Sequence, residues 1–171
     1  MSYAIVCDSR TGNTEALARA VAAALPSEGR LAFGRVDEVD RAAVAQADRV
    51  YAGFWTNRGD CGDELAEVLA SLADKDVFLF GTAGFGADET YFAGVMARVA
   101  VHLPESARIA GTFMCQGRMP ASVRARYAQT AEAKPEQAAR MHQLIENFDE
   151  AASHPDDDDL ARLREAVQAA S

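Results

Sequence analysis

The chain has 171 residues and a formal net charge of −9, with 49% hydrophobic and 25% charged residues. This length predicts one domain, residues 1–171, with a sizeable core. The negative charge argues against nucleic-acid binding, because nucleic acids are bound mainly through Lys and Arg. Three cysteines without a Cys-x-x-Cys motif favour a reducing compartment. The chain starts without a basic leader and has no long apolar run, so we expect no signal peptide, no membrane span and a cytoplasmic protein.

Strand and helix patterns alternate over the first two-thirds of the chain. The apolar spacing and the breaking residues predict strands at 3–7, 30–35, 49–54, 76–81 and 108–115, and helices at 13–25, 41–47, 63–72 and 90–103. Repeated βα units predict a parallel sheet with helices on both faces, the doubly wound α/β class. Any ligand is then expected beyond the carboxyl ends of the strands.

The last third of the chain is longer than one closing helix requires. It predicts helices at 120–130, 135–152 and 157–170. We expect the final helix to pack on the sheet and the helices within 120–152 to form an insertion. The apolar stripe at Ala138, Met141, Leu144, Ile145 and Phe148 favours packing within the chain, with a partner surface as the alternative.

The first loop, residues 9–14, is typical of an anion site. It reads Ser9, Arg10, Thr11, Gly12, Asn13, Thr14, between an apolar strand and a helix start. The first amides of a helix have no internal partner and favour negative charge. The loop lacks the lysine of a P-loop and the three glycines of a dinucleotide fingerprint. Its hydroxyls and amides suit one phosphate monoester; the alternative is a plain Ser/Thr-rich helix cap.

The Ser-x-Thr-Gly-Asn-Thr sequence resembles the phosphate loop of the flavodoxin family, which holds flavin mononucleotide (FMN). The resemblance implies the strand order 2-1-3-4-5 and FMN as cofactor. The loops after strands three and four resemble the two loops that enclose the flavin ring. The site residues implied there are Phe54, Trp55, Thr56, Asn57, Gly59, Cys61, Thr82, Ala83, Gly84, Phe85, Gly86 and Tyr91.

Within these loops, Trp55 is the leading candidate to stack on the ring. Phe85 and Tyr91 could do so or could cover the neighbouring helix. The resemblance implies that a carbonyl near Gly59 accepts a hydrogen bond from the half-reduced flavin, with Asn57 and Arg58 as the alternative contact.

Charges beside these loops predict opposing effects on a bound flavin. Carboxylates at Asp60, Asp63, Glu64, Asp88 and Glu89 would disfavour added negative charge on the ring, whereas Arg10 and Arg58 would favour it. His102, His142 and His154 show no ligand spacing, so we predict no metal site. Cys115 is interpreted as a small buried side chain, and residues 115–120 are expected on the same rim.

Three functions are weighed. The first is an FMN electron carrier, a monomer or weak dimer, that serves redox partner proteins. The second is an FMN-dependent NAD(P)H:quinone reductase. The third, a phosphorylated receiver, is discounted because Phe54-Trp55 and Met114-Cys115 stand where it needs Asp and Lys. The segments at 54–56, 81–86 and 111–117 also resemble compact flavodoxin-like proteins of anaerobic bacteria, including those associated with bilirubin reductase. That resemblance implies a bilirubin-reductase-type flavoenzyme as partner.

Overall fold

The strands and helices follow each other in the predicted order. The computed structural model describes residues 1–86 and 88–171. The strands are β1 (Tyr3–Cys7), β2 (Arg30–Arg35), β3 (Arg49–Trp55), β4 (Asp76–Ala83) and β5 (Arg108–Gln116). The helices are α1 (Asn13–Ala24), α2 (Arg41–Gln46), α3 (Asp63–Ala70), α4 (Glu89–Ala100), α5 (Ala121–Ala133), α6 (Ala138–Ala151) and α7 (Asp157–Ala169).

The sheet has the order β2-β1-β3-β4-β5, and all neighbouring strands are parallel. This confirms the doubly wound α/β fold. The chain runs from β1 outward to β2 and then returns to β3 on the other side, so the switch point lies between β1 and β3. The register pairs Cys7 with Gly53, Trp55 with Thr82, and Ala83 with Gln116. The loops that follow β1, β3, β4 and β5 therefore leave the sheet at one shared edge.

Two apolar layers cover the sheet because successive side chains of a strand point to opposite faces. Tyr51, Phe78 and Phe80 pack with α1 and α7 on one face. Ala52 and Phe54 pack with α2, α3 and α4 on the other. Leu163 and Val167 of α7 are fully buried, which confirms that the last helix packs on the sheet.

The ends of several elements differ from the prediction. β4 extends to Ala83 because Thr82 and Ala83 pair with Cys115 and Gln116 of β5. α4 ends at Ala100, since the next three amides bond to carbonyls three residues back and tighten the last turn. No helix within the two described ranges is long and apolar enough to cross a membrane.

Helices α5 and α6 lie between β5 and α7. An ion pair joins the two helices, with Arg124 Nε 2.8 Å from Asp149 Oδ1. α6 buries Met141, Phe148 and Ala151, whereas α5 buries none of its side chains. The stripe on α6 therefore packs within the chain, as expected, and α5 is held mainly through α6.

Candidate functional site

A cavity of about 700 Å³ lies at the carboxyl edge of the sheet. It is bounded by the loops after β1, β3, β4 and β5, by α4 and by the start of α5. Eleven of the residues predicted for the site line it together: Arg10, Thr11, Asn13, Trp55, Thr56, Gly59, Thr82, Ala83, Gly84, Phe85 and Tyr91.

Other predicted residues lie beside the cavity or away from it. Ser9, Gly12, Thr14, Asn57 and Gly86 belong to the same loops but do not line it. Phe54 is fully buried in the core on the α3–α4 face, because its ring points to the opposite face from Tyr51. Cys61 is also buried in that core. The expectation that the side chains of Phe54 and Cys61 reach the cavity is therefore corrected.

The loop after β1 presents a row of free amides. Within the described residues, the backbone N–H groups of residues 10–14 have no hydrogen-bond acceptor. Gly12 precedes α1 with φ +88°, a left-handed conformation that favours glycine, and a Cβ there would meet nothing within 4 Å. Free amides at the N-terminus of a helix attract anions.

Side chains of this loop fix its shape through hydrogen bonds to neighbouring backbone and side-chain groups. The Ser9 hydroxyl accepts a hydrogen bond from the Glu15 amide at 3.2 Å. Asn13 donates from Nδ2 to the Arg118 carbonyl at 2.9 Å and to Thr11 Oγ1 at 3.1 Å. Asn13 thereby joins the first loop to the loop after β5.

Trp55 forms one wall of the cavity. Its Nε1 donates to Asp8 Oδ2 at 3.1 Å, and the Arg10 guanidinium lies 5.3 Å from its ring centroid. Burial raises the pKa of Asp8, while the hydrogen bond from Trp55 opposes that shift. The hydrogen bond to Asp8 therefore orients the indole, and the Arg10 guanidinium covers the ring.

Residues 57–60 form a two-residue turn beside Trp55. Asn57 and Asp60 exchange backbone hydrogen bonds of 2.7 and 3.0 Å, and both central residues have positive φ, +51° at Arg58 and +87° at Gly59. This is the combination that a type I′ turn requires. The Gly59 carbonyl accepts a hydrogen bond from Arg98 Nε at 2.6 Å, so α4 holds the turn in which the flavodoxin resemblance implies a carbonyl contact with the flavin.

Phe85 and Tyr91 face each other at the opposite rim. Their ring centroids are 5.9 Å apart at an interplanar angle of 78°. Phe85 is 50% exposed. Both rings line the cavity, and Tyr91 also contacts the core on the α4 face. Tyr91 therefore covers the neighbouring helix, as one alternative proposed, and its ring also borders the cavity.

Several lining residues were not predicted as site residues: Arg98 of α4, Gly117 to Pro120 after β5, and Ser122, Val123 and Arg126 of α5. Residues 118–120 follow the end of β5, and the sequence therefore predicted them at the same edge of the sheet as the other loops. Arg98 and Arg126 lie inside helices with no distinctive motif, so only the fold reveals them.

The charges of the cavity differ from those expected around the loops. Arg10, Arg58, Arg98, Arg118 and Arg126 line it, and within the described residues no Asp or Glu does. Asp60 instead bonds to His102, with Oδ1 3.0 Å from Nε2. Asp63 and Glu64 line a separate cleft that shares only Arg10 and Trp55 with the cavity.

All three cysteines are buried thiols. Burial raises the pKa of Cys7 and of Cys61 to about 12, and it raises that of Cys115 further. Cys115 is the small buried side chain that the sequence suggested. At neutral pH all three are protonated.

Comparison with known proteins identifies the family to which this chain belongs. A family model described as a flavodoxin domain matches residues 4–168. The chain belongs to the flavodoxin family. It is 36% identical over 177 residues to the flavodoxin-like domain-containing protein BilS of Clostridium symbiosum, covering 96% of this chain and 93% of the relative.

Two further comparisons agree with this membership. A BilS protein of Clostridioides difficile is 26% identical, with coverage of 94% of this chain and 90% of the relative. Among solved structures, oxidised Flavodoxin 2 from Bacillus cereus superposes with a TM-score of 0.57 at 16% identity, covering 99% of this chain and 97% of that one. At that identity the likeness shows the shared flavodoxin fold alone.

The donors and acceptors of this flavodoxin cavity fit an FMN molecule. The free amides of residues 10–14 suit a phosphate. The wall at Trp55 and the rim at Phe85 and Tyr91 suit a flat ring. Two buried oxygens in the lining, Asn13 Oδ1 and Thr56 Oγ1, have no partner within the described residues. Unpartnered buried polar atoms are rare and are typical of ligand sites.

Proposed function

We propose that this protein is an FMN-binding electron carrier. The observation that carries the proposal is the row of free amides at residues 10–14 opening onto a cavity with Trp55 as one wall. Family membership supports it. A solved structure that superposes with a TM-score of 0.50 at 12% identity is a flavoprotein in complex with FMN from Lactobacillus acidophilus.

In the proposed complex, the amides of residues 10–14 and the Thr11 hydroxyl bind the phosphate. Trp55 stacks on one side of the ring, with Tyr91 or Phe85 at the other. Backbone groups of Thr82 to Gly84 face the ring edge, and Thr56 Oγ1 offers a hydrogen-bonding group that is unpartnered in the described chain. Bound FMN would supply one-electron and two-electron redox chemistry.

The proposed partners are redox proteins, and we infer a bilirubin-reductase-type flavoenzyme as a candidate from the likeness to BilS proteins. The open side of the cavity is where a partner would approach. Because five arginines line the cavity, a partner surface that meets it directly should be acidic rather than basic.

The second candidate is an FMN-dependent reductase that oxidises NAD(P)H itself. The arginine-lined cavity favours this candidate, since Arg side chains bind phosphate groups in a bidentate manner. A reductase also needs room beside the ring; the cavity of about 700 Å³ lies within the ordinary size range of ligand sites.

The experiment compares the FMN-reconstituted protein in two assays. An electron carrier should not oxidise NADPH alone but should speed the reduction of cytochrome c when an NADPH-dependent flavodoxin reductase is added. Rapid NADPH oxidation without that reductase would favour the second candidate. Failure to retain FMN, with no effect in either assay, would contradict both.

A further inference from the structure

We propose that the arginine side of the cavity binds the carboxylate or phosphate groups of a second, flat small molecule next to the flavin. This proposal rests on the proposed FMN binding and deepens the second candidate function, because the second molecule would be the reductase substrate that exchanges electrons with the bound FMN. The residues that carry it are Arg58, Arg98 and Arg126, which reach the cavity from the 57–60 turn, α4 and α5.

The first argument is the distribution of charge. The chain has 26 acidic and 17 basic residues, yet the cavity is lined by five arginines and, within the described ranges, by no carboxylate. None of the five forms an ion pair in the part of the chain that the structure describes. Like charges around one cavity repel each other when they have no counterions, and such an arrangement is tolerated where an anion neutralises them.

The second argument is the backbone at Arg58. Its φ of +51° lies in the left-handed region, which Asn and Gly adopt far more readily than Arg. An Arg at this position should therefore lower the free energy of unfolding relative to an Asn at the same position. Strain of this kind in a cavity wall is typical of a residue that is retained for its side chain.

The third argument concerns Arg98, whose geometry leaves it free to bind. Its Nε donates to the Gly59 carbonyl at 2.6 Å. That bond fixes the orientation of the guanidinium, while the two terminal nitrogens make no hydrogen bond within the described chain. A planar guanidinium held at one nitrogen is preorganised for a bidentate bond to a carboxylate or phosphate.

The phosphate of FMN does not account for these arginines. The free amides of residues 10–14 already provide a site for one phosphate. Of the five arginines only Arg10 belongs to that loop, and it covers Trp55. The rings of Phe85 and Tyr91 and the side chain of Met119 supply apolar surface beside the arginines. A flat body with anionic groups matches this combination better than a protein surface, because the site is concave.

The test uses two anionic probes, phthalate for carboxylates and pyrophosphate for phosphates, with neutral phthalamide as the reference. Each is titrated calorimetrically at low ionic strength into the FMN-loaded protein and into the protein without FMN. The combined variant carries Arg58→Gln, Arg98→Gln and Arg126→Gln. The control is Arg41→Gln, an exposed arginine on α2 that does not line the cavity. Circular dichroism and thermal unfolding verify that both variants fold.

We expect at least one anion to bind the FMN-loaded protein with a dissociation constant below about 1 mM, while phthalamide does not bind. The combined variant should lose roughly 100-fold in affinity or more, because hydrogen bonds between ionised groups are the strong ones. The control should match the unmodified protein. The preferred probe identifies the anionic group.

Three results would overturn the proposal. The first is no binding of either anion up to about 10 mM, which would assign the arginines to an acidic protein surface instead. The second is equal affinity in the combined variant and the control. The third is binding that FMN abolishes, since the arginines would then hold FMN itself. If the protein fails to bind FMN but still binds an anion through these arginines, the proposed function fails and the anion site stands.

Discussion

At the scale of single residues, the backbone of Arg58 adopts a conformation that disfavours arginine. It occupies the first central position of a type I′ turn with φ +51°. Replacing it with Asn should relieve the backbone and raise the free energy of unfolding by about 0.5–1 kcal/mol, as measured by urea denaturation. Arg58→Asn should also weaken anion binding. If Arg58→Asn were less stable than the unmodified protein, the positive φ at position 58 would not be a source of instability.

Gly59, the second residue of that turn, should not tolerate a side chain. Its φ is +87°, and a Cβ would lie 2.8 Å from Arg98 Nη2. The guanidinium is the end of a flexible side chain and can move away, but the move costs its hydrogen bond to the Gly59 carbonyl. Gly59→Ala should therefore lower the unfolding free energy by about 1–3 kcal/mol. Gly94→Ala is the matched control, since its Cβ meets nothing within 4 Å. Equal effects of the two would contradict the interpretation.

At the scale of elements, α6 holds the loop after β4. Asn147 Nδ2 donates to the Gly84 carbonyl at 2.9 Å, and its Oδ1 accepts from the Gly86 amide at 3.1 Å and from Gln116 Nε2 at 3.3 Å. One side chain of the inserted helix therefore fixes the backbone on both sides of Phe85. The insertion thus positions part of the cavity wall.

Asn147→Ala should free this loop and weaken FMN binding by roughly tenfold, because several hydrogen bonds of about 1 kcal/mol each are lost. Faster hydrogen exchange at residues 84–86 should accompany the change. Glu146→Ala, an exposed neighbour on the same helix, is the control. Unchanged exchange at residues 84–86 in Asn147→Ala would show that α6 does not hold the loop.

The start of α7 depends on one buried carboxylate. Asp159 is 2% exposed and forms a capping box with Asp156, with further bonds from His154 Nδ1 and Arg162 Nη2, both at 2.6 Å. Burial alone would raise the pKa of Asp159, but the bonds from His154, the Asp156 amide and Arg162 together lower it.

A lowered pKa means that the folded state favours the carboxylate. Its contribution to stability is present above the unfolded pKa of about 3.9 and is lost as the pH falls through the lower folded value. Asp159→Asn should cost about 2 kcal/mol at pH 7, and the difference from the unmodified protein should shrink below about pH 4. Asp158→Asn, an exposed change in the same turn, should cost far less. A difference that stays constant down to pH 2 would contradict this account.

At the scale of the whole molecule, the parallel sheet and the edge that carries the cavity follow from the sequence pattern, whereas the strand order was implied by the resemblance to the flavodoxin family. Apolar runs such as Val77–Phe80 predict buried parallel strands, and glycines and prolines mark their ends. The first loop was identified from its hydroxyls and its position before a helix. These signals are local, and a local pattern is preserved when the chain folds.

What the sequence did not predict depends on long-range packing. Phe54 stands beside Trp55 in the chain, yet it enters the core, because the two neighbours point to opposite sides of the strand. Arg98 and Arg126 meet the cavity only through the placement of α4 and α5. The carboxylates beside the loops suggested an effect on the cofactor that Arg10 and Arg58 would oppose, whereas folding lines the cavity with five arginines.

The central claim is that the amides of residues 10–14 hold the phosphate of FMN. The most direct measurement compares the binding of FMN and riboflavin, which lacks the phosphate, by quenching of flavin fluorescence. We predict that FMN binds on the order of 100-fold more tightly than riboflavin, because charge-assisted bonds to several amides are lost without the phosphate. Equal affinities for the two flavins, or no quenching by either, would contradict the claim.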